Sequence, residues 1–559
     1  MKLAESVNVA WHLEEMARRQ PGKDAIVLST RRGGRLEYTP WSFADLEAEA
    51  SRLAHGLERA GIHRGTRTAL LVPPSREFFA LVFALFKVGA VTVLIDPGVG
   101  KKNLLRCLEE IEPEALIAIS RVHAARAVLR ALPSVRVNVT VGRRWFWGGY
   151  KLTDLRADAG PYPTVDARPD ETAAILFTTG STGVPKGAVY THGNFDAQVR
   201  ALRATYGFAP DEIDLPTFPL FALFDPALGM TAVIPEMDFT RPGFVDRNNI
   251  IDAIRERGVT SMFGSPALLR RVAGLEGSGA PPPGPREGLR PSDSLEKLPS
   301  LRRVISAGAP AIPSVLERFQ GMLEGGAEIH TPYGATEALP VATIGSKEIL
   351  SETRALTEQG LGTCVGRPAG EIEVKVIKIS DDPIARWSED LLAAPGEVGE
   401  IAVRGPVVTR SYYARSKQTA LAKIEDQDGF WHRMGDLGRF DEKGRLWFFG
   451  RKSHRVVTES KTYFTEPCEA VFAKLSGHRT ALVGVGERPR QRAVLVIEAP
   501  GPAEAPADEL ERLRALAKGH PVTERIDSVL RWRGDFPVDI RHNAKIRREE
   551  IAAWAARQA

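Results

Sequence analysis

The segment ILFTTGSTGVPKGAVYTHGN, residues 175–194, decides how the rest of the chain is interpreted. An apolar run, residues 175–177, ends abruptly at small hydroxyl and glycine residues, and Lys186 follows. The run predicts a short buried strand that opens into a glycine-rich turn. Backbone N–H groups of such a turn converge on anions, while hydroxyl groups and a lysine add further donors. The segment therefore predicts a loop that binds a polyphosphate, with a flexible surface loop as the alternative.

This loop differs from the Walker A motif. The order Gly183-Val184-Pro185-Lys186-Gly187 lacks the adjacent Lys and Ser or Thr that hold phosphate and metal in that motif. The chain also contains no GxGxxG, HExxH or GxSxG pattern. Dinucleotide-binding, zinc-protease and nucleophile-elbow chemistry are therefore not indicated.

Length and composition narrow the class of protein. A chain of 559 residues is too long for one hydrophobic core, so two or more domains are expected. A net charge of +5 without a basic block argues against a nucleic-acid-binding arm. Three well-separated cysteines, Cys107, Cys364 and Cys468, argue against a disulfide framework or a zinc site. With no signal-peptide pattern at the N-terminus, these features favour the cytoplasm.

The first 240 residues alternate short apolar runs with helical patterns, which predicts βαβ units and parallel sheets covered by helices. Ser42 and Asp45 suggest a capping box that starts a helix ending near Gly61. Residues 78–95, the most apolar stretch, contain Lys87 and predict a buried helix and strand rather than a membrane span.

The character of the sequence changes in the second half. Residues 277–294 lack apolar periodicity and predict a surface loop or disordered insert. Beyond about residue 370 the pattern becomes β, with a hairpin in GRFDEKGRLWFFG. The last 110 residues or so predict a small α/β unit that ends in the helix REEIAAWAARQ.

Further motifs follow the glycine-rich loop in a fixed order. They are SAGAP (306–310), YGATE (333–337), GEIAVRGP (399–406), RMGDLG (433–438), FFGRK (448–452) and HNAKI (542–546). In this order and at these spacings the motifs resemble the adenylate-forming superfamily of acyl-CoA synthetases, luciferases and peptide-synthetase adenylation domains. The resemblance covers nearly the whole chain.

The resemblance implies a role for each matching residue. Tyr333 would stack on adenine, Thr336 would contact the α-phosphate and Glu337 would bind Mg²⁺. Asp436 and Arg451 would hold the ribose, and Lys545 would bridge the carboxylate and the phosphate during adenylation. The phosphate loop and the adenine-binding turn would be formed by Thr178, Thr179, Gly180, Ser181, Thr182, Gly183 and Lys186, and by Gly308, Ala309 and Pro310.

Each charged residue also has an ordinary structural interpretation. Lys545 could be a solvated lysine among basic neighbours, and Asp436 a turn aspartate that bonds its own backbone. Glu337 could be a glutamate at the start of a helix. The residue chemistry nonetheless fits adenylation, in which an anionic carboxylate attacks an anionic phosphate and catalysis is largely charge neutralisation and positioning.

The resemblance also implies an α/β fold in two parts. A large N-terminal domain, residues 1–449, would consist of helix-covered sheets and a β segment. A small mobile α+β lid, residues 450–559, would close over it. ATP and Mg²⁺ would be the cofactors, bound with the acyl substrate at the interface.

Several positions depart from the acyl-CoA synthetase pattern. Phe221 and Ala222 occupy the place of a usual histidine. Ser460 replaces a glycine that lines the pantetheine tunnel in thioester-forming members, Ser453 occupies the hinge and Ala544 precedes the catalytic lysine. These departures leave the residues expected for the first half-reaction, adenylation, unchanged. They alter the residues expected to accept a thiol in the second half-reaction.

Strings such as DLPTFPLFALFDPALG, TPYGATEALPVA and DFPVDIRHNAKI resemble one branch, the olefin β-lactone synthetases of bacterial long-chain olefin biosynthesis. The branch implies a long-chain 2-alkyl-3-hydroxy fatty acid that is adenylated and then closes to a β-lactone. It also implies other olefin-biosynthesis enzymes as partners. The substrate pocket would include Phe221, Ala222, Asp225, Gly334, Ala335 and His454.

Three questions stay open at the level of sequence. The β-hydroxyl proton could pass to His454, to Asp225 or to the AMP phosphate. A long-chain acyl-CoA synthetase or acyl-AMP ligase is the alternative activity. A non-catalytic acyl- or nucleotide-binding scaffold is the alternative from another class, although the presence of Lys186, Glu337, Asp436 and Lys545 together argues against it.

Overall fold

The structure is a computed structural model that describes residues 7–157, 159–178, 185–275, 295–310, 312–499, 507–538 and 546–558. Its strands are β1 Asp24–Arg32, β2 Arg35–Ser42, β3 Arg67–Leu71, β4 Val91–Leu94, β5 Ala115–Ile119, β6 Val137–Val141, β7 Tyr150–Lys151, β8 Thr172–Thr178, β9 Lys186–Thr191, β10 Ile213–Pro216, β11 Thr231–Ile234, β12 Ser261–Gly264, β13 Arg303–Ser306, β14 Glu328–Ala335, β15 Ala338–Gly345, β16 Thr363–Pro368, β17 Glu373–Ile377, β18 Gly399–Arg404, β19 Lys423–Asp426, β20 Gly429–Phe440, β21 Leu446–Arg451, β22 Val456–Val457, β23 Thr462–Tyr463, β24 Thr480–Val485, β25 Arg492–Ala499 and β26 Ser528–Arg533.

The α-helices lie between these strands. They are α1 Ala10–Arg19, α2 Phe43–Arg59, α3 Arg76–Lys87, α4 Lys101–Ile111, α5 Ser120–Leu129, α6 Leu152–Leu155, α7 His192–Tyr206, α8 Phe224–Leu228, α9 Arg247–Arg257, α10 Pro266–Val272, α11 Pro313–Gln320, α12 Ser346–Glu348, α13 Arg354–Thr357, α14 Ser416–Ala422, α15 Thr465–Ser476, α16 Ala507–Lys518 and α17 Arg548–Ala555.

The first sheet has the order β7-β6-β5-β3-β4-β8-β9. All its strand pairs are parallel except β8 with β9, which is antiparallel. Parallel strands need crossover connections, and α3, α4 and α5 supply them here. The predicted βαβ organisation is confirmed in this sheet.

The second sheet has the order β17-β18-β20-β21-β16-β15-β14-β13-β12-β10-β11-β1-β2, with β19 paired to β20. From β14 through β1 along this order the strands are parallel. From β14 towards β17 the pairs are antiparallel, which confirms the change of character predicted near residue 370. The predicted hairpin is formed by β20 and β21.

Helix α2 begins where the sequence predicts. The Ser42 side chain accepts from the Asp45 N–H, and the Asp45 carboxylate accepts from the Ser42 N–H at 3.0 Å. This reciprocal capping box satisfies two of the backbone donors that a helix start leaves unpaired. The apolar stretch at residues 78–95 forms the buried helix α3 and strand β4, as predicted. In the described part of the chain, none of the helices combines the length and apolarity that a bilayer crossing requires.

The C-terminal residues form a third sheet, β24-β25-β26. Two apolar clusters cover its faces: one includes Phe472 and Leu495, and the other includes Val494 and Ile551. Strand β21 of the large sheet continues to Arg451, and a short helical turn, Lys452–His454, follows it. The boundary at residues 449 and 450 stays a prediction, as does the loop at 277–294, which lies outside the described residues.

A charged side chain is buried in the core at the C-terminal end of α3. Lys87 has no exposed side-chain surface, and its Nζ lies 2.5 Å from Glu14 Oε1 and 2.7 Å from Glu47 Oε1. Burial raises the pKa of the Glu47 carboxyl, and the lysine opposes that effect. Removing one partner from a buried ion pair leaves an uncompensated charge, which costs more than the pair contributes.

We expect Lys87→Met to lower the free energy of unfolding by about 3–5 kcal/mol, because Glu14 and Glu47 would lose their common counter-ion. The matched control is Lys443→Met, which removes an exposed lysine 2.6 Å from Glu352 and should cost less than about 1 kcal/mol. Chemical denaturation followed by circular dichroism measures both values. Equal losses of unfolding free energy in the two variants would show that Lys87 is not the common counter-ion of Glu14 and Glu47.

Candidate active site

The carboxyl ends of the parallel strands of the large sheet meet at one edge. Strand β13 ends at Ser306 and leads into residues 307–310, where Gly308 adopts a φ of 96°. Strand β14, beside β13, ends in the YGATE motif. Because parallel strands place their carboxyl ends together, this edge is the place where an α/β sheet binds a ligand.

The tip of the YGATE motif is a two-residue turn that connects β14 and β15. Ala335 pairs with Ala338, so Thr336 and Glu337 form the turn itself. The helix-start interpretation of Glu337 is therefore wrong, because the chain reverses there into an antiparallel strand. The Tyr412 hydroxyl donates to Glu337 Oε1 at 2.6 Å, and the Thr409 N–H donates to the Glu337 carbonyl at 2.9 Å.

Lys186 of the seven-stranded sheet lies over the ring of Tyr412, whose segment bridges to Ala188 of β9. Lys186 begins β9, and its Nζ lies 4.8 Å from the centre of the Tyr412 ring. Backbone hydrogen bonds from Val189 to Ser411 and from Tyr413 to Gly187 fix the segment around Tyr412 along β9. Burial, followed by the Glu337 charge, raises the pKa of the Tyr412 hydroxyl, so it stays a donor at neutral pH.

Asp436 and Arg451 face each other across neighbouring strands. Register pairs them between β20 and β21, and Arg451 Nη1 lies 2.9 Å from Asp436 Oδ1. The Tyr333 hydroxyl donates to Asp436 Oδ2 at 2.7 Å. The Asp436 charge raises the pKa of Arg451, and burial raises the pKa of Tyr333. The turn-aspartate interpretation of Asp436 is wrong, since the residue lies within a strand and is 3% exposed.

One cavity of about 1440 Å³ connects these groups. Its polar end includes Lys186, Glu337, Asp436 and Arg451. The C-terminal part of the chain supplies a wall that includes His454, Glu466 and Arg548.

The other end of the cavity is lined by aromatic rings. Phe221 stacks on Phe263 with ring centres 3.9 Å apart, and Phe224 lies 6.4 Å from Phe221. Phe195 and then Phe86 continue the series at 6.4 and 5.7 Å. Such a wall removes apolar surface of a ligand from water and excludes water from a reactive intermediate.

Comparison with known proteins agrees with this geometry. The model of a family described as AMP-binding enzyme matches residues 13–413. The chain is 47% identical over 564 residues to an olefin beta-lactone synthetase of Xanthomonas campestris pv. campestris, covering 99% of this chain and 98% of that protein. It is 48% identical to an olefin beta-lactone synthetase of Stenotrophomonas maltophilia, covering 98% of both proteins.

The chain belongs to the AMP-binding enzyme family. Its fold is also that of the amide bond synthetase McbA from Marinactinospora thermotolerans, with a TM-score of 0.77, 24% sequence identity, and coverage of 98% of this chain and 99% of that one. The α/β architecture with a smaller C-terminal part is therefore the family's fold.

Most of the site residues predicted for this AMP-binding enzyme line the cavity described above, as far as they lie in the described part of the chain. These are Lys186, Gly308, Ala309, Pro310, Phe221, Tyr333, Gly334, Ala335, Thr336, Glu337, Asp436, Arg451 and His454. The side chain of Thr178, residues Thr179, Gly180, Ser181, Thr182 and Gly183, and Lys545 with Ala544 lie outside the described residues, so their roles stay predictions.

Two predicted pocket residues do not line the cavity. Ala222 is fully buried, and Asp225 is 5% exposed on α8. Neither side chain is part of the cavity wall. Of the neighbours Phe221 and Ala222, only Phe221 lines the cavity. Asp225 is accordingly not placed to accept a proton from a bound substrate, which corrects that prediction.

Sequence reasoning missed several groups in and around the cavity. Tyr190 donates to the Thr336 carbonyl, and Tyr412 binds Glu337, but no motif marked either residue. Lys423 donates to the Thr409 carbonyl, and burial lowers the pKa of its amine to about 7. Burial also raises the pKa of the cavity-lining Glu466 to about 7. Among these groups only Lys423, between Ala422 and Ile424, has apolar neighbours that could have predicted the burial of its charge.

Asp225 belongs instead to a buried acid pair with Asp214 on β10. Burial raises the pKa of Asp214 to about 7, with Glu212 raising it further and Arg303 lowering it. Burial, followed by the charge of Asp214, raises the pKa of Asp225 well above its ordinary value. Both carboxyls are only 5% exposed, so they cannot both ionise without a large desolvation cost.

This pair should make the fold less stable as pH rises. Since the folded pKa of about 7 for Asp214 exceeds its ordinary value, the stabilisation is fully present below about pH 4 and is lost progressively between about pH 4 and pH 7. The slope is at most about 1.4 kcal/mol per pH unit for one proton. We expect Asp225→Asn to flatten this slope between about pH 5 and pH 7, because the amide carries no charge at any pH in this window.

Denaturant midpoints measured across this pH range test the assignment. The exposed Glu442→Gln is the matched control and should keep the slope of the unmodified protein. Parallel stability curves for Asp225→Asn and the unmodified protein would show that the pair does not bind the proton.

Proposed function

We propose that this enzyme is an AMP-forming ligase that converts a long-chain 2-alkyl-3-hydroxy fatty acid into a β-lactone. The observation that carries the proposal is the full-length identity of 47% and 48% to two olefin beta-lactone synthetases. A cavity that joins a polar, charged end to an aromatic end supports it, because the reaction requires a phosphate site beside an acyl site.

ATP would occupy the polar end of the cavity. Its ribose would be held by Asp436 and Arg451, and its adenine would lie against Tyr333 and residues 308–310. Lys186 and the loop at residues 178–183 would hold the β- and γ-phosphates. The carboxylate oxygen of the acid then attacks the α-phosphorus, and pyrophosphate leaves with the electrons of the broken P–O bond. Positive groups at this end reduce the repulsion between the two anions.

Mg²⁺ fits the donor set at this end. Protein sites commonly bind Mg²⁺ through one or two carboxylates together with substrate phosphates. Glu337 is such a carboxylate, and the described residues contain no cluster of three His, Cys, Asp or Glu side chains that would hold a metal without a substrate. The ion would neutralise phosphate charge, while Tyr412 fixes the orientation of the Glu337 carboxylate at 2.6 Å.

The second step would use the substrate's own hydroxyl. Its oxygen attacks the acyl carbon, the acyl–AMP bond breaks and the four-membered ring closes, while the proton passes to His454 or to the phosphate of the leaving AMP. His454 lines the cavity, and its Nε2 lies 3.3 Å from Glu549 Oε1. Holding the two reacting groups of one molecule together replaces the bimolecular encounter with an external thiol.

The position predicted to shape a thiol tunnel in thioester-forming relatives lies in the C-terminal part of the chain. Ser460 is exposed between β22 and β23 and is absent from the cavity wall.

Lys545 would bridge the substrate carboxylate and phosphate during the first step. Other olefin-biosynthesis enzymes would be the partners that supply the hydroxy acid and consume the lactone.

Incubation with MgATP and a synthetic 2-alkyl-3-hydroxy acid, without CoA, should yield AMP, pyrophosphate and β-lactone in equal amounts. Mass spectrometry and NMR identify the lactone, and a coupled assay measures pyrophosphate. The matched substrate control is the same acid without its hydroxyl, which should give at most a single turnover of bound acyl-adenylate. Sustained CoA-dependent turnover to a thioester would establish the acyl-CoA synthetase instead.

Asp436→Asn should lower kcat/KM for ATP by about ten- to a hundredfold, because the amide loses a charge-assisted acceptor for the ribose. The KM for the acid should change much less. The exposed Asp428→Asn is the matched control and should keep both values. Steady-state pyrophosphate release measures these constants, and a rise confined to the KM of the acid would place the nucleotide elsewhere.

A further inference from the structure

The far edge of the seven-stranded sheet has a charge unlike that of the rest of the protein. Residues 115–153, from β5 through β7, contain seven Lys or Arg residues and no Asp or Glu. The whole chain carries a net charge of only +5, so the remainder is net negative. We name residues 115–153 the basic edge. Six of its cations have exposed side chains: Arg121, Arg130, Arg136, Arg143, Arg144 and Lys151.

The same segment holds a concentration of exposed apolar side chains. Among the described residues, five of the nine large apolar side chains that are exposed belong to the basic edge. They are Val128, Leu129, Trp145, Phe146 and Tyr150, with exposures of 75%, 66%, 50%, 71% and 43%. Single exposed apolar residues need no explanation, but a cluster within one supersecondary unit marks an interaction surface.

The loop that carries Trp145 and Phe146 is held firmly to the sheet. The Trp147 ring stacks on His123 of α5 at 5.6 Å, and its Nε1 donates to Thr140 Oγ1 of β6 at 2.9 Å. The Ser120 hydroxyl donates to the Arg143 carbonyl from the start of α5. Because Trp147 anchors the loop, the two preceding aromatic residues are presented to solvent.

The cations of this loop are not engaged by acidic side chains in the described part of the chain. Within the described parts of the chain, neither Arg143, Arg144 nor Lys151 forms an ion pair. Arg144 instead donates to the Gly149 carbonyl within the loop. Their charges therefore remain available to an anionic partner.

We propose that the basic edge docks the enzyme on the surface of an anionic lipid bilayer. Trp and Tyr side chains prefer the headgroup level of a membrane, Phe, Leu and Val reach towards the acyl chains, and Arg and Lys bind lipid phosphates. The edge combines these three elements on one unit of the fold.

Other classes of partner fit these observations less well. Aliphatic side chains such as Val128 and Leu129 do not stack on bases, as single-stranded nucleic acid requires. A protein interface also accommodates Arg and aromatic residues, but the basic edge contains seven cations and no Asp or Glu, which matches a surface that is negative throughout. An anionic bilayer is such a surface, and interfacial membrane segments likewise combine exposed apolar side chains with Lys and Arg.

Flotation of the full-length protein with lipid vesicles tests the proposal. Binding should be at least about tenfold stronger to vesicles of mixed phosphatidylcholine and phosphatidylglycerol than to phosphatidylcholine alone, and should weaken at high salt. Arg143→Glu with Arg144→Glu should lower the partition coefficient more than about tenfold. Trp145→Ser with Phe146→Ser should lower it by a similar factor through lost apolar contact.

Matched variants elsewhere on the surface complete the design. Arg512→Glu with Arg514→Glu reverses two exposed cations on α16, and Leu421→Ala with Leu475→Ala removes two exposed leucines. These controls should bind vesicles like the unmodified protein. Melting temperatures and pyrophosphate release from a detergent-dispersed acid should stay unchanged in all four variants, which separates docking from catalysis.

Several results would overturn the proposal. They are failure of the unmodified protein to float with anionic vesicles, equal losses in the control variants, and unchanged flotation in both edge variants. If the edge variants kept vesicle binding but lost association with a partner protein or with RNA, the basic edge would be a docking surface for that macromolecule.

Discussion

Three hydrogen bonds to one two-residue turn hold the catalytic cavity together. The Tyr190 hydroxyl from the seven-stranded sheet donates to the Thr336 carbonyl, and the Thr409 N–H donates to the carbonyl of Glu337. The Tyr412 hydroxyl donates to the Glu337 carboxylate. The turn belongs to the large sheet, so these bonds fix the distance between the two sheets and with it the width of the polar end. Because the donors are phenols of raised pKa and a backbone amide, the arrangement keeps its protons at neutral pH.

The connection to the C-terminal part depends on a second charged arrangement. Glu400 and Arg433 are each 1% exposed and 2.7 Å apart, and Lys452 Nζ lies 2.9 Å from the other Glu400 oxygen. Lys452 begins the turn that follows β21, directly after the Arg451 that pairs with Asp436. The chain therefore leaves the large sheet from a fixed point, one residue beyond a group proposed to hold the ribose. A movement of the C-terminal part would pivot beyond this ion pair rather than within it, since separating buried charges is costly.

The aromatic end explains how the family scaffold suits a substrate that carries its own nucleophile. Phe221, predicted to occupy the place of a histidine of acyl-CoA synthetases, packs its ring at 3.9 Å on Phe263. An apolar ring there adds surface for an alkyl chain and removes a polar group that would attract water. The acyl-adenylate is open to hydrolysis, so a dry wall beside the acyl carbon favours ring closure over reaction with solvent.

The sequence by itself determined the local elements and the family. The period of the apolar residues and the helix-capping residues predicted α2, α3 and the βαβ units, because both signals depend on residues only a few positions apart. Ordered motifs predicted residues that line the cavity, because SAGAP and YGATE lie where β13 and β14 end, and Asp436 and Arg451 pair on the neighbouring strands β20 and β21. The tertiary structure alone decided which other side chains meet them. Tyr412 reaches Glu337 across 75 positions of sequence, and the neighbours Phe221 and Ala222 separate into a wall residue and a buried one. Asp225 turns from the cavity to Asp214 for the same reason: the direction of a side chain is set by packing between distant elements, which no local pattern encodes.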